Sequence, residues 1–192
     1  MFLSAVFCFA TFVISGCAKA PPAIRALPDF ALTAVTVDGT RPLDLAALRG
    51  RAWVADFVYT RCAGPCPMLS ANMAGLQKRL PAAIGLLSFT VDPDHDSPAV
   101  LARYARSFGA DPGRWLFVTG NKAALVRLFR DGFLISAVAD PKAAPGQNVA
   151  HTTEFVLIDA RGRIRGYYHG DDPDALDRLS ADALRLSPRP AL

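Results

Sequence analysis

Two cysteines four residues apart, in Thr60-Arg61-Cys62-Ala63-Gly64-Pro65-Cys66-Pro67, are the side chains whose type and spacing point most directly to chemistry. Held in a loop or in the first turn of a helix, two thiols at that separation converge on one metal ion or close into a disulfide. Gly64 allows a tight bend between them, and Pro67 suits the first turn of a following helix. A helix amino end favours thiolate over thiol, the form that either reaction needs. The plain alternative is an inert structural disulfide.

The spacing argues against two enzyme types. A dithiol oxidoreductase of the thioredoxin kind uses C-x-x-C and has a proline just before the strand that faces the pair. Here Thr152, Thr153 and Glu154 precede Phe155, the nearest upstream proline is Pro145, and the facing residue is expected to be His151. A peroxiredoxin-like peroxidase needs Thr or Ser three residues before its cysteine and Pro seven before it, where this chain has Tyr59 and Ala55. Disulfide reduction therefore stays as an alternative activity, and thiol peroxidase activity does not.

Each of the three histidines has a plain reading and a sharper one. His169, in Tyr168-His169-Gly170-Asp171, reads as a solvated turn residue. His95, among the carboxylates of Asp92-Pro93-Asp94-His95-Asp96, reads as a surface residue, with a secondary metal contact as the alternative. His151 follows a loop from Asp140 to Ala150 and stands at the start of a strand; alone it is a loop histidine, and beside a dithiol it is a candidate ligand.

The elements that must position these groups alternate. Phe30 to Val35 reads as a strand followed by the hairpin signal Asp38-Gly39, and Ala52 to Tyr59 as a strand buried on both faces. Leu69, Met73, Leu76 and Leu80 recur at helical spacing over Pro67 to Leu80. Ile84 to Val91 is a further buried strand, and Ser97-Pro98 opens a helix with Ser97 as N-cap. Leu116 to Thr119 is a short strand, and Asn121 caps a helix running to about Arg130. Phe155 to Ile158 and Ile164 to Tyr168 flank a turn at Asp159-Ala160-Arg161-Gly162, and Asp172 to Leu186 closes the chain as a helix. This alternation predicts a mainly parallel sheet covered on both faces, with an antiparallel hairpin near the end. In such sheets the binding crevice lies beyond the carboxyl ends of the strands, where the Cys62 segment sits.

The amino end reads as a targeting segment. Met1 to Gly16 is apolar and uncharged, too short for a typical membrane span and of the right length for a signal-peptide core. Ile14-Ser15-Gly16-Cys17 resembles the lipobox of bacterial lipoproteins, which would make Cys17 the lipidated residue of the mature chain and discard Cys8; an uncleaved anchor is the alternative. Residues 18–28 are a Pro/Ala-rich tether. Either reading places the domain from residue 29 to 188 in an oxidising compartment of the cell envelope, facing the periplasm or the exterior.

Three blocks together resemble the Sco/SenC family: Asp56 to Pro67, Ser88 to Pro98 with Thr90-Val91-Asp92-Pro93 at its centre, and His151 to Asp159. They occur in family order, within a resemblance that spans about Leu27 to Leu186. The resemblance implies an α/β domain with the thioredoxin-like fold, a central mixed sheet flanked by helices with an added N-terminal β-hairpin. It also implies a membrane-tethered role in supplying copper to the binuclear copper centre of cytochrome c oxidase, or to another copper-receiving protein. Carried over, Cys62 and Cys66 are the thiolate ligands of copper and His151 the imidazole ligand. Two soft thiolates suit Cu(I), and an added imidazole makes the site acceptable to Cu(II). The chain departs from the family pattern at Ala150, where many relatives have an acidic residue, and at Ala63 and Gly64, where many have Pro followed by an acidic residue. No ligand is removed by these changes.

Composition sets the remaining limits. A chain of 192 residues with 52% hydrophobic and 20% charged residues is one folded domain and not a disordered chain. Its 21 basic and 17 acidic residues give +4, spread along the sequence, which gives nucleic-acid binding no support. Three functions fit: a copper-delivering assembly factor with no enzymatic turnover, an exported dithiol:disulfide oxidoreductase that keeps a copper-receiving protein reduced, and a redox or copper sensor acting through a partner.

Overall fold

The structure, a computed structural model, describes residues 19–135 and 152–187. Among these residues eight strands form a single sheet in the order β1-β8-β7-β4-β5-β6-β2-β3. They are β1 (Arg25–Ala26), β2 (Ala31–Thr36), β3 (Gly39–Asp44), β4 (Ala52–Val58), β5 (Ile84–Thr90), β6 (Trp115–Thr119), β7 (Glu154–Ile158) and β8 (Arg163–His169). The helices are α1 (Leu45–Leu48), α2 (Cys66–Arg79), α3 (Pro98–Ser107), α4 (Lys122–Arg127) and α5 (Pro173–Leu186).

Parallel pairing is confined to the three central strands, β4 with β5 and β5 with β6; the other pairings are antiparallel. The sheet is therefore mixed and not mainly parallel. Hairpins β2–β3 and β7–β8 flank the central strands on opposite sides, and neither needs a crossover helix.

The central strands are apolar on both faces because both are covered. On one face Phe57, Phe89, Leu116 and Val118 meet Leu125, Phe129 and Phe133. The rings of Phe57 and Phe133 lie 5.1 Å apart, edge to face. On the other, Val54, Leu86, Trp115, Phe117 and Leu157 meet Leu69, Met73 and Leu76 of α2, Leu101 of α3 and Leu179 of α5.

The helix starts follow the local chemistry read from the sequence. Ser97 caps α3, Asn121 caps α4 and Asp172 caps α5, each accepting from a backbone N–H of its first turn. The helix after Asn121 is shorter than expected, ending at Arg127 and continuing as a π-helical turn, Leu128–Phe133. Leu134 closes this turn in the left-handed region at φ 55°, its N–H bonded to Phe129 O.

The stretch expected to be a tether is docked against the sheet from Pro21 to Leu27. Arg165 donates to Pro21 O through Nε at 2.7 Å and again through Nη2. Ile24 N–H bonds to Ile164 O at 2.8 Å, Leu27 N–H to Gly162 O at 2.9 Å, and Leu27 is buried. A strand of two residues is too short to show a period in the sequence. Among the described residues no helix is long and apolar enough to cross a membrane.

Candidate metal and thiol centre

Parallel register sets the carboxyl ends of β4 and β5 level, with Val58 beside Thr90, so that the loops following them share one edge of the sheet. After β4 the chain turns at once: Cys62 N–H bonds to Tyr59 O at 3.2 Å. Gly64 N–H then points back to Cys62 Sγ at 3.4 Å, a contact that supplies one donor to the sulfur. Cys66 is the first residue of α2, behind Pro65 as N-cap, and Pro67 stands within the first turn. Both thiols are free, at 8% exposure for Cys62 and 1% for Cys66.

Burial decides the electrostatics of Cys66. It pushes the Cys66 thiol well above the ordinary thiol range, the neighbouring Cys62 adds to the rise, and an interaction with the Tyr59 backbone opposes it. The expected helix-end preference for thiolate is thus overturned at Cys66, because loss of solvent outweighs the helix end there. Tyr59 is also held protonated, by burial first and then by a hydrogen bond to Cys62. At rest Cys66 therefore holds a shielded proton that a soft cation or an oxidant must displace.

The third block enters from the far side of β4. β7 pairs with β4 antiparallel, Val156 opposite Ala55, so the start of β7 lies at the end of β4 from which the Cys62 turn leaves. His151, the expected imidazole ligand, lies outside the described residues, as do Cys17 and Cys8. Among the described residues no three His, Cys, Asp or Glu side chains gather as a metal cluster. The other histidines are exposed. His95 follows Asp94, which pairs with Lys122 Nζ at 2.5 Å. His169 ends β8, its Nδ1 3.0 Å from Glu154 Oε1 on the paired strand, and so belongs to a strand end where a free turn was expected.

Two buried carboxyl groups near the pair went unread in the sequence. Asp56 lies on β4, fully buried, and burial pushes its carboxyl up to about 7. Asp96 lies in the loop after β5, fully buried, and binds Thr60, two residues before Cys62. A charged residue inside Ala-Trp-Val-Ala-Asp-Phe-Val was the available signal for Asp56. For Asp96 the signal was weaker, because it stands among acidic neighbours that are not fully buried, Asp92 and Asp94.

A family model described as SCO1/SenC matches residues 22–182. The chain belongs to the SCO1/SenC family. A SCO1/SenC family lipoprotein from Bacillus anthracis str. Ames has 33% identity and a TM-score of 0.74, with 88% of this chain and 99% of that one covered. BsSco, described as a member of the Sco family of cytochrome c oxidase assembly proteins and as containing a disulfide switch, has 27% identity and a TM-score of 0.75 over 90% and 99% of the two chains. ScoI of Bradyrhizobium japonicum, solved with copper bound, shares the fold at a TM-score of 0.69 and 21% identity, with 84% of this chain and 99% of that one covered.

Membership gives the three sequence blocks a common place. Asp56 to Pro67 is the β4–α2 junction, Ser88 to Pro98 the β5–α3 junction, and Thr152 to Asp159 the start and length of β7. Within the SCO1/SenC fold of this chain, the first two meet at the edge where the thiols lie, and β7 begins beside it.

Proposed function

We propose that this protein binds copper, as Cu(I) and Cu(II), through Cys62, Cys66 and His151, and delivers it to, or prepares, the copper centre of cytochrome c oxidase or another copper-receiving protein. It does so from the outer side of a membrane, anchored through lipidated Cys17 or an uncleaved N-terminal segment. The observation that carries the reading is the pair of free, buried, adjacent thiols at the carboxyl edge of the parallel strands. Soft thiolates select Cu(I), and a shielded site keeps a bound ion from bulk oxidants until a partner docks. The oxidase assembly role described for BsSco and the lipoprotein nature of the Bacillus anthracis relative support the client and the anchor.

The same free, mutually close thiols favour a second reading, reduction of a disulfide in the copper-receiving protein. A Cu(I) titration in competition with a chelator separates the two. Copper delivery predicts one tight Cu(I) per chain, weakened by His151→Ala and abolished by Cys66→Ser. Unchanged copper binding in His151→Ala together with fast disulfide exchange would favour the reductase. For the anchor, mass spectrometry of the mature amino end should show a lipid on Cys17; an unmodified Met1 terminus counts against lipidation.

A further inference from the structure

Asp96 joins the ends of two parallel strands through its buried carboxylate and reaches a third through its backbone carbonyl. Its Oδ1 accepts from Thr60 Oγ1 at 2.5 Å, its Oδ2 from Thr60 N–H at 3.2 Å and from Thr90 Oγ1 at 2.6 Å. Its backbone carbonyl accepts from Thr119 Oγ1 at 3.4 Å. Thr60 follows β4, Thr90 ends β5 and Thr119 ends β6. Among the described residues Asp96 forms no ion pair, and the donors to its carboxylate are a hydroxyl and an amide of Thr60 and the hydroxyl of Thr90.

Thr60 stands two residues before Cys62, inside the turn closed by Cys62 N–H on Tyr59 O. Because its amide and its hydroxyl both bind Asp96, the carboxylate fixes the backbone and the rotamer of the residue from which the thiol turn springs. The neighbouring Arg61–Asp92 pair, at 2.8 Å, links the same two loops. It is largely exposed on the arginine side, and an exposed ion pair holds little, whereas hydrogen bonds to a buried charge are among the strong ones.

We propose that Asp96 is a positioning residue for the thiol pair: through Thr60 it sets where Cys62 stands relative to Cys66, and so governs disulfide closure and copper affinity. The inference deepens the copper reading and rests on Cys62 and Cys66 being the working pair. Loss of the anchor leaves a looser turn, which must be ordered before the two sulfurs meet, so both disulfide formation and metal capture become less favourable.

The test uses the full chain in detergent and four variants: Asp96→Asn, Thr60→Val, Thr60→Ser and Ser97→Ala. The first readout is equilibration with a glutathione redox buffer, in which the two thiols give two electrons and two protons to glutathione disulfide as the Cys62–Cys66 bond forms. The second is Cu(I) competition. In Asp96→Asn and Thr60→Val the disulfide should become at least tenfold easier to reduce, about 30 mV for two electrons, and copper should bind at least tenfold more weakly. Thr60→Ser keeps the hydroxyl and should stay within threefold of wild type. Ser97→Ala removes the α3 cap next to Asp96, lowers thermal stability without touching Thr60, and should also stay within threefold. A Ser97→Ala effect as large as that of Asp96→Asn, or no separation between Thr60→Val and Thr60→Ser, overturns the proposal. If Asp96→Asn does not fold, the two Thr60 variants decide. A wild type that binds no copper sinks the copper reading alone, because the redox equilibrium still tests Asp96.

Discussion

Trp115 donates its indole N–H to Ser88 Oγ at 2.9 Å, and Ser88 is the strand partner of Asp56 across the parallel pairing of β4 with β5. The hydroxyl level with Asp56 thus serves the indole. Ser88 opposes the rise of the Asp56 carboxyl, but neither carboxyl oxygen has a hydrogen-bond partner of ordinary geometry. A fully buried acid without donors is held neutral more easily than charged. Beside it Ser70 and Tyr104 share a hydrogen bond of 2.9 Å, and the Tyr104 phenol is raised by burial first, with Asp56 adding to the rise.

Stability should therefore fall with pH through Asp56. Its carboxyl is raised from 3.8 to about 7 on folding, so the folded state binds a proton that the unfolded state has lost. The stabilisation is complete below pH 3.8 and disappears as pH rises through about 7. Between about pH 5 and 8 the wild type should lose on the order of 2 to 3 kcal/mol relative to Asp56→Asn. Urea unfolding of both proteins at several pH values checks this. A difference that stays constant with pH would remove Asp56 as the source.

Gly170 should not accept a side chain. A Cβ there would stand 2.6 Å from Phe155 Cε1 and 2.8 Å from Leu69 Cδ2, both on buried side chains. The backbone cannot retreat freely, because Gly170 N–H bonds to Thr153 O and Asn72 Nδ2 to Gly170 O, each at 2.7 Å. Gly170→Ala should cost about 1 to 3 kcal/mol of unfolding free energy, the usual range for overpacking. Leu69→Ala makes room, so the double variant should be more stable than the sum of the single losses allows. Strict additivity in denaturant unfolding would show that the clash is relieved elsewhere.

The particulars show which parts of the molecule the sequence made legible. Ser97, Asn121 and Asp172 announce helix starts because capping is local, and Asp38-Gly39 announces the β2–β3 turn for the same reason. The dithiol was legible through its spacing, since two cysteines at the end of an apolar strand leave few alternatives. Partners distant in sequence were not. Asp96 binds Thr60 across 36 residues, and the docking of Pro21 on Arg165 spans 144. The alternation of elements by itself suggested a mainly parallel sheet, because the periodicity of β7 does not reveal that it runs antiparallel to β4; the mixed sheet was legible only through the family resemblance. The state of Cys66 depended on burial produced by the whole fold, against which a local rule about helix ends gave the wrong sign.

Copper affinity should rise steeply with pH. Cys66 must lose its proton to bind a metal ion as thiolate, and burial holds that proton well beyond the ordinary thiol range. The thiol is therefore still protonated throughout about pH 6 to 8, and each captured Cu(I) expels this proton. Each proton expelled makes the apparent affinity about tenfold tighter per pH unit, with no plateau across that interval. Competition titrations at three pH values, with a chelator of known pH dependence, give the slope, and indicator dye in weak buffer counts the released protons. Cys66→Ser should lose both the tight binding and the proton release. Affinity that is flat with pH would mean that Cys66 binds as a preformed thiolate, and the shielding assigned to its burial would be wrong.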